Sequence, residues 1–378
     1  MFKILFIQKQ LVCGGIEQAL FDLLNLLDKD TFDITLLVQQ EGGIWEQKFL
    51  DAGIKLTHVY DCQKASRNPV IKGINLVKRT LLNLAWKKNG KGALNVALPG
   101  DYDIIVNYGV STYDDICFYR KAKTIKYIHG DTGTNKPFRE YIERNAGLFG
   151  KFDQIICVSE AARRSFMEKT GIREKVVTCY NPLNSDNIKH LALETADLPD
   201  DLPIICAVGR FGPEKGFDRL VRIHKNLLNK GIVHRLVIVG DGPEQEKIEE
   251  TIRQTGTQDS VILAGYQSNP YPYMKQSAFL VSSSYTEGLP VISMEALCLG
   301  VPIVSAVPSI GEVFGDECCG IVTENDDASL EAGIEKMLTD PAFYEKACQG
   351  AQRRSAYFDG KKMVKEVEHI FLSLLNEA

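Results

Sequence analysis

The chain predicts an α/β protein built as two doubly wound domains, each a parallel sheet covered by helices on both faces. Three observations carry that expectation. Short apolar runs alternate with helix-period segments along the chain, which is the βαβ rhythm of parallel sheets. The rhythm is interrupted at Asn181–Asp201, a polar stretch broken by Pro182 and Pro199. Finally, 378 residues that are 44% hydrophobic and 25% charged suffice for two separate cores.

In the first half the apolar runs Ile4–Ile7, Ile34–Val38, Ile104–Val106, Thr124–Ile128, Gln154–Val158 and Val176–Cys179 read as strands. Helical spacing between them marks Ile16–Leu27 and Ala161–Lys169, the latter with Ser159 as its cap. The rhythm restarts at Pro203–Gly209 and continues through Leu236–Val239, Val261–Ala264, Phe279–Ser282 and Pro302–Ser305. From Asp359 to Ala378, Val364, Val367, Ile370, Phe371 and Leu374 form an apolar helical stripe that needs a partner, and the first domain is the expected one. The expected boundaries are 1–182 for the first domain, 183–202 for a linker, 203–358 for the second domain and 359–378 for the terminal helix.

A net charge of −5 and a pI near 5.8 exclude a protein built to coat nucleic acid. The ten cysteines include no C-x-x-C, and several lie in apolar runs, so they read as small buried hydrophobes in a reducing compartment. Met1-Phe2-Lys3 leads straight into a strand, and no apolar run approaches a membrane span, which predicts a cytoplasmic protein without an integral anchor.

Parallel sheets bind ligands beyond the carboxyl ends of their strands, and the informative loops all fall there. After the Phe279–Ser282 strand, Glu287 and Glu295 lie eight residues apart around Gly288-Leu289-Pro290-Val291. Pro290 suits the first turn of a helix beginning near Leu289 or Pro290, whose free N–H groups attract anions. Eight residues of helical rise, roughly 12 Å, match the span from a sugar to a ribose across a pyrophosphate. Gly209-Arg210-Phe211-Gly212-Pro213-Glu214-Lys215-Gly216 places two cations on a glycine-rich turn, a fork and a point charge suited to a diphosphate. Gly14 and Gly15 open the first helix, His129 ends an apolar strand before Gly130, and Tyr266 follows Gly265 where a base could stack.

Taken in order, Gly14-Gly15, Tyr127-Ile128-His129-Gly130, Cys157-Val158-Ser159-Glu160, Val208-Gly209-Arg210 with Lys215-Gly216, Val239-Gly240-Asp241-Gly242-Pro243 and Glu287-Gly288-Leu289-Pro290 with Glu295 resemble glycosyltransferase family 4. The resemblance runs over nearly the whole chain and is most specific in the second half. It implies a GT-B fold, two Rossmann-like domains facing each other across a cleft, and a retaining, nucleotide-sugar-dependent enzyme. By the same resemblance, Arg210 and Lys215 would bind the donor diphosphate beside Gly209. Glu287 would bind sugar hydroxyls, with the backbone of Gly288, Leu289, Pro290 and Val291 lining sugar and phosphate. Glu295 would hold the ribose, Gly15 would approach the distal phosphate and His129 would flank the donor sugar. Gly265, Tyr266 and Gln267 would flank the base. The expected reaction moves a hexosyl unit from a nucleoside-diphosphate sugar, UDP-sugar favoured, to a hydroxyl of a glycan or lipid-linked glycan in cell-surface polysaccharide synthesis. No cofactor or metal is expected.

Two rival readings remain beside this one. A nicotinamide dehydrogenase would want G-x-G-x-x-G after the first strand and an acidic residue after the second, where Gln39-Gln40 stands. A non-catalytic partner or sensor would keep the nucleotide-sugar site without turnover. The acceptor is addressed by one further segment. Between Cys62 and Asn95 the chain carries Lys64, Arg67, Lys72, Lys78, Arg79, Lys87, Lys88 and Lys91 and no acidic residue. Apolar residues up to Trp86 lie among them, so residues 64–91 read either as a helix that docks on an anionic membrane surface or as an ordinary surface helix of the first domain whose apolar side faces the core.

Overall fold

The computed structural model describes residues 1–12, 14–58, 77, 100–110, 114–118, 121–130, 136–287 and 289–376. They fall into two compact units, Met1–Pro182 joined by Lys361–Ala378, and Leu183–Gly360.

The first unit is built on seven strands: β1 (Phe2–Gln8), β2 (Phe32–Val38), β3 (Lys55–His58), β4 (Ile104–Asn107), β5 (Lys123–Ile128), β6 (Gln154–Cys157) and β7 (Val176–Thr178). Their order is β3-β2-β1-β4-β5-β6-β7, with every pairing parallel. Strands β1 and β4 are mostly apolar because both faces are covered, so they show continuous runs instead of alternation, and β5 is as deeply buried although it carries Thr124 and Lys126. One side of the core gathers Ile7, Ile105, Ile128, Phe149 and Phe166. The terminal helix Gly360–Asn376 adds to the core: Phe371 is fully buried, with its ring 6.2 Å from Phe6 and 5.9 Å from Phe32. Its buried Glu368 accepts a hydrogen bond from the Asp28 N–H at 2.9 Å, tying the helix to the turn before β2.

The second unit has six parallel strands, β8 (Ile204–Val208), β9 (Arg235–Val239), β10 (Val261–Gly265), β11 (Phe279–Ser282), β12 (Ile303–Ser305) and β13 (Gly320–Val322). Their order is β10-β9-β8-β11-β12-β13. Each sheet reverses its winding once, between β1 and β4 in the first and between β8 and β11 in the second, and such reversals open a crevice at the strand carboxyl ends.

Two strands escape the sequence pattern. β3 carries a single strong apolar residue and β13 is three residues long; both are sheet edges, where little burial is demanded. Residues 183–202, expected as linker, carry the helix Ser185–Leu191 within the second unit. Asn184 caps it, accepting from the Asn187 N–H at 3.2 Å, and Ile188 is its buried anchor. One capping side chain and one apolar contact suffice, so polar composition concealed the helix.

Candidate active site

The two loops that leave β8 and β11 meet at the reversal of the second sheet. Lys215 ends a short 3₁₀ turn, Pro213–Lys215, and Glu287 lies on the loop after β11; the two form an ion pair. The Ser284 hydroxyl donates to the same carboxylate oxygen of Glu287 at 2.9 Å, and the Ser283 hydroxyl donates to the Lys215 carbonyl at 2.8 Å. The Tyr285 N–H donates to the Glu214 carbonyl at 2.8 Å, so the loops are joined through backbone and side chain alike. Both charged side chains are about four-fifths buried, which strengthens their attraction relative to a surface pair. A cavity of about 10 Å³, room for about one water, lies against Lys215, Ser284, Glu287 and Ile292.

Glycine is required at two points beneath this arrangement. Gly216 has φ +63°, and a Cβ there would lie 2.7 Å from the Ser283 carbonyl oxygen. Gly240, at φ +144°, lets the β9 loop approach the β8 loop so closely that a Cβ would lie 1.9 Å from the Gly209 carbonyl oxygen. The Gly209 N–H donates to Val239 and the Phe211 N–H to Asp241, so the Gly240-Asp241-Gly242 turn shapes the backbone on which Arg210 stands. Arg210 itself points to solvent, 63% exposed, with Nη2 3.9 Å from Glu214.

The helix after this loop runs Val291–Cys298 with Pro290 as its N-cap at φ −70°, so it begins just beyond the expected start. Glu287 precedes the first helical residue by four positions, and the helical-rise estimate of its separation from Glu295 therefore does not apply. Gly288 lies outside the described residues, whereas Leu289 and Val291 are buried at the helix start. Glu295 is 5% exposed and accepts a hydrogen bond from the Tyr271 hydroxyl at 3.0 Å. At the end of β10 the Gly265 carbonyl accepts from the Gly240 N–H; beyond it Tyr266 is half exposed and the Gln267 amide donates to the Ala264 carbonyl.

In the first unit, Gly15 is the first residue of the helix Gly15–Leu26, at the carboxyl end of β1. His129 follows β5. Its Nε2–H donates to the Tyr108 carbonyl at 2.8 Å, a contact that fixes the tautomer, since a carbonyl only accepts. Burial pushes the imidazole down to about 3, against the smaller opposing effect of that hydrogen bond, so the ring is neutral. Glu17, on the first turn of the Gly15–Leu26 helix, is buried and accepts from Gln8 Nε2 at 2.8 Å; burial raises its carboxyl above the ordinary range.

Sequence reasoning assigned no role to Ser283, Ser284, Tyr271 or Glu17. The serine run after an apolar strand was the only visible signal for the first two. Among the described residues, no group of three or more His, Cys, Asp or Glu side chains is placed to hold a metal ion. The eight described cysteines are free thiols, six of them buried; Cys13 and Cys62 lie outside the described residues.

Two family descriptions match successive parts of the chain, Glycosyltransferase Family 4 over residues 13–187 and Glycosyl transferases group 1 over residues 192–354. The chain belongs to glycosyltransferase family 4. This family 4 enzyme is 25% identical over 376 residues to the N-acetylgalactosamine-N,N'-diacetylbacillosaminyl-diphospho-undecaprenol 4-alpha-N-acetylgalactosaminyltransferase of Campylobacter jejuni, covering 93% of this chain and 94% of that one. It is 24% identical to the capsular polysaccharide biosynthesis glycosyltransferase CapM of Staphylococcus aureus, over 64% of this chain and 67% of CapM. Among solved structures, HepE of Anabaena in complex with UDP aligns with TM-score 0.74 at 16% identity, covering 98% of this chain and all of that one. The fold of the glycosyltransferase is accordingly GT-B, with two Rossmann-like sheets.

Proposed function

We propose that this glycosyltransferase moves a hexosyl unit from a UDP-sugar to a hydroxyl of a glycan or lipid-linked glycan, with retention at the anomeric carbon, in cell-surface polysaccharide synthesis. The observation that carries the reading is the Lys215–Glu287 pair at the reversal point of the second sheet, braced by Ser283 and Ser284. A cation there suits a diphosphate, and an oriented carboxylate beside it suits sugar hydroxyls. Arg210 adds a second, exposed cation from the same loop. Glu295, buried and oriented by the Tyr271 hydroxyl, is a carboxylate of the kind that accepts from ribose hydroxyls.

In the reaction, the anomeric C–O bond to the diphosphate breaks while a bond to the acceptor oxygen forms on the same face. The acceptor proton passes to a leaving phosphate oxygen. Lys215 and Arg210 stabilise the charge that grows on the diphosphate, which is where preorganised cations contribute most. Glu287 is held by Lys215 and Ser284 and is not the nucleophile. His129, neutral with its Nε2–H committed to Tyr108, presents Nδ1 as an acceptor for a sugar hydroxyl.

The acceptor reading has its support in the Campylobacter relative, whose name specifies a diphospho-undecaprenol substrate. The basic segment 64–91, outside the described residues except for Val77, is the proposed membrane contact. Calorimetric titration with UDP, followed by a UDP-sugar hydrolysis assay, tests the whole reading. Binding with turnover supports it, binding without turnover favours a sensor, and binding of NAD instead favours a dehydrogenase.

A further inference from the structure

Beneath the loop that carries Glu287 lies a cation that neither the diphosphate nor the sugar would touch. Arg219, on the helix Phe217–Asn229, is fully buried. Its Nη1–H donates to the Asn325 side-chain oxygen at 2.9 Å, and its guanidinium lies 4.6 Å from the centre of the Tyr285 ring. Asn325, on the loop after β13, donates its amide to two successive carbonyls of the β11 loop, Ser284 at 3.2 Å and Tyr285 at 2.9 Å. The network fixes the amide orientation, because Arg219 only donates and the two carbonyls only accept. Charge compensation for Arg219 is thin. Nε is 3.4 Å from Asp327, itself 59% exposed, and Nη2 has no hydrogen-bond partner. A buried guanidinium so incompletely paired is costly, and an apolar side chain of similar volume would be cheaper for stability alone.

We propose that Arg219 and Asn325 are positioning residues for the donor site: they set the Ser284–Glu287 turn, and through it the placement of Glu287 against Lys215. The logic is a chain of fixed contacts. Arg219 aims Asn325 and supports Tyr285; Asn325 pins the carbonyls of Ser284 and Tyr285; Ser284 and Ser283 then hold Glu287 and Lys215. Gly216 leaves room for the crossing, since a Cβ there would also press Arg219 Cδ at 3.1 Å and Tyr285 at 3.2 Å. Donor binding at Lys215 and Glu287 is the reading of the preceding section, on which this inference rests.

The test uses the full chain with Asn325→Ala, Asn325→Asp, Arg219→Met and Arg219→Lys. Hydrogen exchange of the amides of 283–287, measured without ligand, reads the turn directly. The expected result is exchange roughly tenfold faster in Asn325→Ala and Arg219→Met, the size of one or two lost hydrogen bonds, with the helix 327–339 unchanged. UDP, used as the probe in calorimetry, should bind roughly tenfold more weakly to the same variants. Asn325→Asp separates positioning from charge compensation. It offers Arg219 a better partner but no donor to the two carbonyls, so it should retain thermal stability while exchanging and binding like Asn325→Ala. Arg219→Lys, which keeps one donor for Asn325, should restore part of both signals. Unchanged exchange in both Asn325 variants overturns the inference, as does a full rescue by Asp. Faster exchange with unaltered UDP affinity overturns its link to the donor. Failure of the wild-type chain to bind UDP would instead overturn the donor reading, leaving the exchange data to decide the brace.

Discussion

Lys215 and Glu287 neutralise each other, so any ligand that recruits one must share or replace the other. Opposite signs follow for two substitutions. Lys215→Ala leaves the carboxylate without its cation, facing a diphosphate of like charge, and UDP affinity should fall about tenfold or more in calorimetry. Glu287→Gln frees Lys215, so UDP affinity should be kept or rise while sugar transfer falls by on the order of 10²-fold. Arg210→Ala should lower kcat by on the order of 10²-fold, because it removes charge stabilisation as the phosphate leaves; undiminished turnover would exclude Arg210 from the site. Glu295→Gln should mainly raise the KM for the donor. These residues were legible because each lies in a short local pattern in which a glycine, a proline and a charge sit within a few positions. Arg219 and Asn325 were not legible, since 106 positions separate them and neither sits in a motif; only folding brings them together.

At the scale of elements, the helix Phe217–Asn229 carries a second buried network on its far half. The proton on His234 Nδ1 goes to the Ile232 carbonyl, so its Nε2 accepts from His224 Nδ1–H at 2.8 Å, and His224 Nε2 accepts from the Ser260 hydroxyl. Both rings are buried; burial pushes His224 down to about 3 and His234 in the same direction. Folded values below the ordinary 6.5 mean that the unfolded chain takes up protons first as the pH falls. The stabilisation is complete above about pH 6.5 and is lost as the pH drops towards 3, at about 1.4 kcal/mol per pH unit for each extra proton bound by the unfolded chain. The melting temperature should therefore fall between pH 7 and 5, and the His224→Gln/His234→Gln double variant should show a shallower fall. An equal slope would remove the pair as its cause. The long buried strands and the amphipathic terminal helix were readable from their apolar periodicity. The edge strands β3 and β13 and the Ser185–Leu191 helix were not, because too few of their side chains are buried to leave a pattern.

For the whole molecule, the parallel sheets and their two reversals explain why the motifs fall where they do: every one follows a strand carboxyl end. The cation pair on the β8 loop can do the electrostatic work of a divalent ion, so transfer should survive EDTA; a strict Mn²⁺ or Mg²⁺ requirement would contradict that division of labour. Segment 64–91 should bring the protein down with anionic liposomes at low salt, and replacing Lys78, Arg79, Lys87 and Lys88 by Gln should abolish it. Equal pelleting of the two proteins would return the acceptor question to soluble glycans. The first unit is closed by a helix from beyond the second, with Phe371 buried between Phe6 and Phe32. Phe371→Ala should cost about 3–5 kcal/mol, measured as a loss of first-unit stability in denaturant. Its position also dictates an order of events on the ribosome. The second unit is continuous and can fold as soon as residue 360 is clear, whereas the first, though made earlier, must wait for residues 361–376 with part of its apolar face uncovered. Slow synthesis or truncation should therefore expose the earlier-made half to chaperones and proteases, the reverse of the usual amino-to-carboxyl sequence of domain folding.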